Sequence, residues 1–554
     1  MKRSAVLAAT IGTPVVLLGA LAAIVTMTAR VLPRSTVSEL ATPAAVNAMP
    51  HVIPSLREWH GGHGAFMLGA AARIVVAPTY ATALSGAARA FHADLVAVTG
   101  HDLPVTAATA PRAGDFFLTL GGDDKGLGAE GYRLTVGDSV IIQANASNGA
   151  LYGTRTVLQI LAGDTTHAYL PRGTARDYPA YAVRGFMLDV GRKYFPLAFL
   201  EDYVRFMAWY KLNDFQLHFN DNAVDAGTKT DWMHEYAAFR LNSPRFPGLA
   251  ARDGSYTEAD MRALQDLARE YAVTITPEID APAHDLAFTQ YNPSLAISGT
   301  PGTSAKDVNK ECLDLGNPAT YTFLNSIWDT FLPWFDAHEI QIGADEYFTH
   351  STTQPDPRDA KVYRLFVNQY VGYLSARGKG VRMWGSLDKM ASGVVVDHRA
   401  TMDIWDNGWA NPVTTARAGY DVINASGHLL YIVPNYPASQ RFYPDALDTA
   451  YLYTHWEPPI FDASTTAYNL AVGDPHLLGG MFAEWNDMND ITGYTITDAD
   501  VHARVKPAMP VIGQKLWSGA PASLSYTAFM ALAGQLGDGP ETHLPVVAPI
   551  TSSP

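Results

Sequence analysis

The sequence is nearly free of cysteine, with Cys312 the only one among 554 residues. A single cysteine excludes an intramolecular disulfide and a zinc site built from several cysteines. Charged residues are also scarce, at 17 %, and a net charge of −15 leaves no excess of basic side chains to bind a phosphate backbone. We therefore expect no nucleic acid partner.

The longest apolar run stands at the N-terminus. Lys2 and Arg3 precede an apolar stretch over residues 5–29, which is long enough to cross a hydrocarbon core of about 30 Å. A basic start followed by an apolar run is typical of an export signal. We expect residues 1–48 to be a signal peptide or membrane anchor plus linker, so that the protein is extracellular, either secreted or tethered at the cell surface.

Two domains and a tail are expected after this segment. Residues 49–178 alternate short strand-like runs with two helical patterns, which predicts a small α+β domain. Residues 181–520 hold a longer pattern in which strands and helices alternate eight times. Residues 521–554 contain one helical stretch and a proline-rich end, and are expected to form a C-terminal tail.

The long alternating pattern predicts an α/β fold, a (β/α)8 TIM barrel. An open doubly wound sheet is the competing architecture, but no glycine-rich phosphate loop follows the first strand. The expected strands are Val183–Val190, Asp214–Phe219, Val273–Ile279, Glu339–Ile342, Val381–Trp384, Thr401–Trp405, Leu429–Val433 and Leu478–Trp485.

Ionisable and aromatic residues gather where these strands end. Because the carboxyl ends of barrel strands carry the chemistry in this fold, we expect them to share one rim. The 11 tryptophans and 27 tyrosines of the chain suit the binding of sugar rings. The rim residues are Asp189, Arg192, Asp221, Glu278, Asp280, His284, Asp345, Glu346, Trp384, Trp405, Tyr436, Tyr443, Asp445, Trp485 and Asp487.

Asp345 and Glu346 are adjacent at the end of the fourth expected strand. Hydrolysis of a glycosidic bond needs a proton donor for the leaving oxygen and a group that stabilises positive charge at the anomeric carbon. Two carboxyl groups in one pocket can divide these tasks, because repulsion and burial raise the pKa of one of them. Taken alone, an Asp-Glu pair is far more often a solvated loop pair, so the prediction depends on the other rim residues.

Four segments of the expected barrel carry distinctive motifs. They are Ile-Gly-Ala-Asp-Glu at 342–346, and the segments 187–192, 212–221 and 277–284. The first resembles the Gly-Gly-Asp-Glu signature of family 20 glycoside hydrolases, the β-N-acetylhexosaminidases. The others resemble the first three barrel strands of that family, in the same order and spacing. The α+β domain also resembles the small domain usual in this family.

The resemblance implies an exo-acting enzyme that hydrolyses terminal GlcNAc or GalNAc from glycans with retention at the anomeric carbon. In this family the substrate's own acetamido oxygen attacks that carbon and forms an oxazolinium intermediate. Glu346 would then transfer protons, Asp345 would orient the acetamido group, and Tyr443 would hold its oxygen. His284 and Asp221 would form a relay that tunes Glu346. The resemblance implies no metal and no organic cofactor.

Further residues are implied in substrate binding. Arg192 would donate to the sugar hydroxyls O3 and O4, although an ion pair with a nearby aspartate is the alternative. Trp384, Trp405 and Trp485 would form the walls of the pocket, although each could instead belong to the core. The implied substrate-binding residues are Arg192, Trp384, Trp405, Asp445, Trp456, Trp485 and Asp487.

Some positions depart from the family pattern. Ala344 replaces the common second glycine, Tyr436 competes with Tyr443 for the same role, and Asp487 stands where many relatives carry glutamate. The region 239–257 resembles a Gram-positive subgroup that includes lacto-N-biosidases, which release a disaccharide. That activity is the first alternative. A non-catalytic sugar-binding or adhesion protein is the alternative from another class, and the presence of Glu346 disfavours it.

Overall fold

The computed structural model describes residues 45–301, 308–350, 356–436, 443–489, 495–520 and 523–550. Within those ranges, no helix combines the length and the apolar character that crossing a bilayer requires. The expected export segment, residues 5–29, lies outside the described residues, so export and tethering stay predictions.

The N-terminal domain has the predicted α+β architecture. Its strands β1 to β7 are Glu58–Met67, Ile74–Val76, Val105–Ala107, Phe116–Leu120, Tyr132–Val136, Val140–Ala144 and Tyr169–Asp177. They form one mixed sheet in the order β1-β7-β5-β6-β4-β2-β3. Helices α1 (Ser85–Thr99) and α2 (Ser147–Gly163) pack together beside it. Because a Cβ on Gly153 of α2 would lie 2.5 Å from Ile142 Cγ2, only glycine allows this close contact between helix and sheet.

The second domain is a closed parallel barrel, as the sequence predicts. Strands β8 to β18 are Val183–Asp189, Asp214–His218, Asn220–Asn222, Ala237–Phe239, Thr274–Glu278, Glu339–Gln341, Gly380–Trp384, Ala400–Ile404, Val422–Asn424, Tyr431–Ile432 and Leu477–Glu484. Eight of them, β8, β9, β12 to β16 and β18, pair in parallel, and the barrel closes where β18 joins β8 and β16.

Helices follow most of the barrel strands. Both faces of a barrel strand are covered, one by the interior and one by helices, so β8, β9 and β15 are buried at every residue. Helices α3 to α12 are Leu197–Trp209, Glu258–Glu270, Leu286–Tyr291, Pro318–Phe331, Pro357–Ser375, Pro412–Arg417, Gly427–Leu430, Thr449–Thr454, Asp498–Ser518 and Tyr526–Leu536. Capping boxes start α4 and α11, with Thr257 and Thr497 as the N-cap residues.

The expected seventh strand is wrong in position. The strand that closes the barrel is β16, only three residues long, and it precedes the apolar run at Leu429–Val433. That run instead contributes the end of the short helix α9 and the two-residue strand β17, which pairs with the end of β18. It is apolar because it is buried against the barrel end, and burial alone does not distinguish the two positions.

A buried lysine joins the two domains. Lys211, just after α3, donates from Nζ to Asp177 Oδ2 at 2.9 Å, Tyr132 Oη at 3.0 Å and Thr156 Oγ1 at 3.1 Å. Its ammonium also lies 4.4 Å from the centre of the Trp517 ring. The three oxygen partners belong to the N-terminal domain, so a polar cluster with no solvent access fixes that domain against the barrel.

Candidate active site

The loop after β13 brings Asp345 and Glu346 to the mouth of the barrel. Gly343, Ala344 and Glu346 all have positive φ angles, of 69°, 65° and 45°. Ala344 donates its backbone N–H to Asp280 Oδ1 at 3.1 Å. A Cβ on Gly343 would lie 1.6 Å from the same oxygen, so this position requires glycine. The loop thus turns sharply enough for two adjacent side chains to reach one cavity.

A cavity of about 220 Å³ opens at the carboxyl ends of the barrel strands. This is the rim that the barrel prediction indicates as the place of chemistry. Of the twelve site residues that the sequence predicts, nine line this cavity: Arg192, Asp221, His284, Asp345, Glu346, Trp405, Tyr443, Trp485 and Asp487.

His284 lies between the two acidic residues and a third carboxylate. Its Nε2 is 3.8 Å from Asp345 Oδ2 and 3.6 Å from Glu346 Oε2, while its Nδ1 is 3.1 Å from Asp221 Oδ1. Asp221 also accepts from His218 Nε2 at 2.8 Å. The imidazole therefore connects a fully buried carboxylate to the pair at the cavity surface.

The charges of this cluster depend on one another. Burial opposes protonation of His284, but the carboxylates of Asp221 and Asp345 outweigh it and raise its pKa well above the usual range. Burial alone would raise the pKa of Asp221, but Arg192 and His284 lower it below its ordinary value. For Asp345, burial raises the pKa to about 6, with His284 opposing the shift and Glu346 adding to it. A protonated His284 thus favours the ionised forms of Asp221 and Asp345.

Arg192 is held from several sides. Its Nη1 lies 2.7 Å from Asp221 Oδ2, 3.1 Å from Asp189 Oδ2 and 3.2 Å from Asp487 Oδ1. Its Nε donates to the backbone oxygen of Asn222 at 3.0 Å. The structure is therefore compatible with both predictions for Arg192: its guanidinium is ion-paired with aspartates, and it also lines the cavity, where a sugar could bind.

Aromatic side chains form part of the cavity wall. Trp405, Tyr431, Tyr443 and Trp485 all line it, and the Tyr431 ring lies 5.5 Å from that of Tyr443 and 5.6 Å from that of Trp485. The Nε1 atoms of Trp405 and Trp485 are buried and have no hydrogen-bond acceptor among the described residues. Flat rings with N–H donors at their edges suit a ligand that has apolar faces and carbonyl or hydroxyl oxygens.

Two family models match the chain. The model for "Glycosyl hydrolase family 20, catalytic domain" covers residues 181–520, and the model for "Glycosyl hydrolase family 20, domain 2" covers residues 49–178. The chain belongs to glycosyl hydrolase family 20.

Curated relatives from this family are similar to the chain at low identity. It is 26 % identical over 513 residues to the lacto-N-biosidase of Bifidobacterium bifidum, which covers 89 % of this chain and 42 % of that protein. It is 26 % identical over 326 residues to a β-hexosaminidase of Vibrio furnissii, covering 54 % of this chain and 52 % of the relative. The chain thus spans about half or less of these two relatives.

Solved structures of family 20 share the fold. A mutant β-hexosaminidase of Streptomyces plicatus in complex with its product GlcNAc superimposes with a TM-score of 0.70 at 21 % identity, covering 89 % of this chain and 95 % of that one. The β-N-acetylhexosaminidase of Streptomyces coelicolor A3(2) gives a TM-score of 0.68 at 21 % identity, covering 89 % and 96 %.

Three predicted site residues of this family-20 chain do not line the cavity. Trp384 lies behind it and donates from Nε1 to Glu278 Oε1 at 2.7 Å. Trp456 is fully buried and donates to the backbone oxygen of Ile460, so it belongs to the core. The Oδ1 of Asp445 accepts from Arg504 Nε and Nη2 at 2.9 and 2.8 Å, which holds that carboxylate beside α11.

The structure distinguishes Tyr443 from Tyr436, the two tyrosines that the sequence offers for the same role. Tyr443 lines the cavity, whereas Tyr436 contacts Tyr443 from outside, with the two rings 5.7 Å apart. Burial and the nearby carboxylate of Glu346 raise the pKa of Tyr443 well above its usual range, so its hydroxyl stays protonated. It can therefore donate a hydrogen bond into the cavity.

Several cavity residues have no role implied by the sequence. His218 and Asp280 are the main ones; both lie within the quoted family motifs, and Asp280 was expected only as a rim residue. His218 stands on β9 with its Nδ1 3.0 Å from Glu278 Oε1. Burial opposes its protonation, but Glu278 and Asp221 raise its pKa well above the usual range. Both residues belong to motifs that resemble the family, but the sequence of a motif does not show which of its buried residues face the barrel interior.

Two clusters at this site have metal-ligand residue types. One is His218, Glu278 and Asp280, and the other is Asp280, His284 and Asp345. In the first, both ring nitrogens of His218 already face carboxylates, at 2.8 and 3.0 Å. In the second, His284 Nδ1 faces Asp221 and its Nε2 faces the acidic pair. A hydrogen-bonded network accounts for these contacts, and the expectation of no metal stays a prediction.

Proposed function

We propose that this protein is an exo-acting β-N-acetylhexosaminidase that hydrolyses terminal GlcNAc or GalNAc from glycans. The observation that carries the proposal is the arrangement of Asp345 and Glu346, which leave one turn and enter one cavity with His284 within 4 Å of both. Such an arrangement provides one carboxyl group for proton transfer and a second for charge stabilisation.

Glu346 is the proposed proton donor. Its side chain is 40 % exposed, which puts it near the cavity mouth, where the leaving oxygen of an exo-substrate would lie. After protonating that oxygen it would accept a proton from the incoming water. His284, oriented by Asp221, would stabilise its carboxylate between the two steps.

Asp345 is proposed to steer a nucleophile that belongs to the substrate. Its Oδ1 is buried without a hydrogen-bond partner in the described part of the chain, so it can accept the acetamido N–H. The ionised carboxylate would then stabilise the positive charge of the oxazolinium intermediate. Tyr443 would donate to the acetamido oxygen, and the indoles of Trp405 and Trp485 would enclose the group. Attack from within the substrate implies retention at the anomeric carbon.

Lacto-N-biosidase activity is the second candidate. The 26 % identity to the Bifidobacterium enzyme over 89 % of this chain favours it. That reaction leaves a galactose on O3 of the bound GlcNAc, the hydroxyl for which Arg192 is proposed. Because Arg192 is 8 % exposed and fixed by Asp189, Asp221 and Asp487, a sugar placed there would have to displace a buried ion network. This favours release of a monosaccharide.

Glu346→Gln tests the proton-donor role. Without the acid, kcat/KM for a β-GlcNAc glycoside with a sugar leaving group should fall by about 10²–10⁴. The fall should be much smaller for a dinitrophenyl glycoside, whose leaving oxygen needs no proton. Glu258→Gln, at an exposed position of α4, is the matched control and should keep full activity. An equal fall for both leaving groups, or none, contradicts the role.

The product released by the wild-type protein distinguishes the two candidate activities. Release of lacto-N-biose without GlcNAc would favour lacto-N-biosidase activity.

A further inference from the structure

We propose that Asn222, Val224, Asp225 and Glu311, here called the mouth residues, form a binding subsite for the sugar ring on the leaving-group side of the scissile bond. The inference rests on the proposed exo-acting function, because only then does everything outside the cavity belong to the leaving group. All four residues line the cavity.

The solvent exposure of the lining residues differs between the two ends of the cavity, and this difference indicates where the leaving group would lie. At the closed end, Arg192 and Trp485 are buried. At the open end, Val224 is 43 % exposed, Asp225 is exposed, and the proposed acid Glu346 has a 40 % exposed side chain. A terminal sugar bound at the closed end would direct its glycosidic oxygen towards Glu346, and the next ring would lie among the exposed residues.

Glu311 and Asn222 present hydrogen-bonding groups to that ring. Glu311 accepts from Asn222 Nδ2 at 2.8 Å and from Asn309 Nδ2 at 2.7 Å, and each carboxylate oxygen can accept further bonds. Asn222 is 2 % exposed, yet its Oδ1 is buried with no hydrogen-bond partner within the described ranges. A buried unsatisfied acceptor next to a cavity indicates that a ligand donor would be bound there.

The two segments that carry the mouth residues are fixed to each other. Lys310 donates its backbone N–H to Gly227 O at 2.8 Å, which joins the two segments, and Glu311 accepts at its backbone oxygen from Asp285 N at 3.0 Å, which fixes the second segment to the start of α5. A Cβ on Gly227 would lie 2.2 Å from Asn309 Oδ1, so the segments approach as closely as glycine allows. The subsite is therefore formed before the substrate binds, which reduces the entropic cost of binding.

The chemistry of the mouth residues selects a neutral sugar. Asp225 and Glu311 contribute acceptors and negative charge, and Val224 contributes an apolar surface for the C–H face of a ring. Hydroxyl groups would be bound as donors, while a uronate or sulfate group would be repelled by these carboxylates and by Glu346. The expected leaving group is thus a neutral hydroxylated ring such as a second GlcNAc.

Three substrates and two variants test the subsite. The substrates are 4-nitrophenyl β-GlcNAc, whose leaving group has no hydroxyl, N,N′-diacetylchitobiose, and GlcNAc β-linked to glucuronic acid. The variants are Glu311→Gln and the double variant Val224→Ser with Asp225→Asn. Asn tolerates the positive φ of 59° at position 225. Asp231→Asn, an exposed aspartate of the same loop outside the cavity lining, is the control.

Both variants should lower kcat/KM for chitobiose about five- to tenfold through a higher KM, the effect of one lost hydrogen bond. They should change the nitrophenyl rate less than twofold and improve the rate on the glucuronate relative to chitobiose. Equal losses on all three substrates, or no loss on chitobiose, would overturn the subsite. A wild-type protein inactive on the nitrophenyl glycoside would instead refute the proposed function.

Discussion

Asp345 has to be charged to perform the role proposed for it, and its surroundings work against that charge. Burial raises its pKa to about 6, and the carboxylate of Glu346 adds to the shift. The opposing influence is His284, which is kept protonated by Asp221 and Asp345 itself. The ionisation of Asp345 therefore depends on the charge of His284, which depends in turn on the fully buried carboxylate of Asp221.

This dependence predicts the acid side of the pH profile. Ionised Asp345 accepts the acetamido N–H, so activity is present above its pKa and is lost as the pH falls through about 6. Asp345→Asn should lower kcat/KM at pH 7 by about 10²–10³ and remove this acid limb. The measurement is kcat/KM for nitrophenyl β-GlcNAc between pH 4 and 8 in both proteins. An unchanged limb in the variant would mean that another group sets it.

The residue types of the site are better predicted than their orientation. Motif resemblance selected Asp345, Glu346 and His284, and all three reach the cavity. It also selected Trp456, which is buried in the core. It did not select His218, which lines the cavity. His218 lies on β9, a barrel strand buried on both faces, so hydrophobicity along the sequence does not reveal that its side chain points inwards.

At the scale of single elements, the turn after β13 controls the positions of both acidic residues. Gly343 and Ala344 have nearly the same backbone angle but different surroundings. Gly343 lies against Asp280, whereas the Cβ of Ala344 is already accommodated in the buried turn. The departure from the family's double glycine is therefore tolerated at one of the two positions.

Exchanging the two residue types tests this difference. Gly343→Ala should displace Asp280 and reduce activity on nitrophenyl β-GlcNAc by at least the roughly 10²-fold that a 1 Å misplacement of catalytic groups can cost. Ala344→Gly keeps the left-handed backbone without strain and should retain activity within a few-fold. Both are measured as kcat, with circular dichroism as the control for folding. Similar activity in the two variants would contradict the proposed contact.

The positions of the barrel strands were largely predictable because apolar runs of the right length alternate with helical patterns. The exception is β16, whose three residues are too short to produce such a pattern. Its place in the barrel is set by pairing with β15, the preceding strand, and with β18, which begins only at Leu477 and is distant in sequence. Only contacts of this long-range kind could have distinguished it from the apolar run that follows it.

At the scale of the whole molecule, the α+β domain and the barrel are held together by buried charge as well as by apolar contact. Lys211 reaches from the barrel into the N-terminal domain, where Asp177 has no solvent access. Burial lowers the pKa of Lys211, and Asp177 opposes that shift, so the ammonium depends on its partner. The sequence predicted both domains but gave no sign of this pair.

Lys211→Ala should destabilise the protein by about 3–5 kcal/mol, because it leaves the carboxylate of Asp177 buried and unpaired. Arg89→Ala is the matched control: Arg89 also joins the two domains, through Glu270, but it is exposed, and its loss should cost at most about 1 kcal/mol. Urea unfolding followed by tryptophan fluorescence measures both. Equal destabilisation by the two variants would show that the buried pair has no special role.

In the proposed mechanism the nucleophile belongs to the substrate, and Asp345 guides it. Nitrophenyl β-glycosides with N-acetyl, N-fluoroacetyl, N-difluoroacetyl and N-trifluoroacetyl groups test this directly, because each fluorine withdraws electron density from the attacking carbonyl oxygen. If the acetamido oxygen is the nucleophile, kcat should fall at every step of this series. A kcat that stays constant or rises would mean that a group of the protein attacks the anomeric carbon instead.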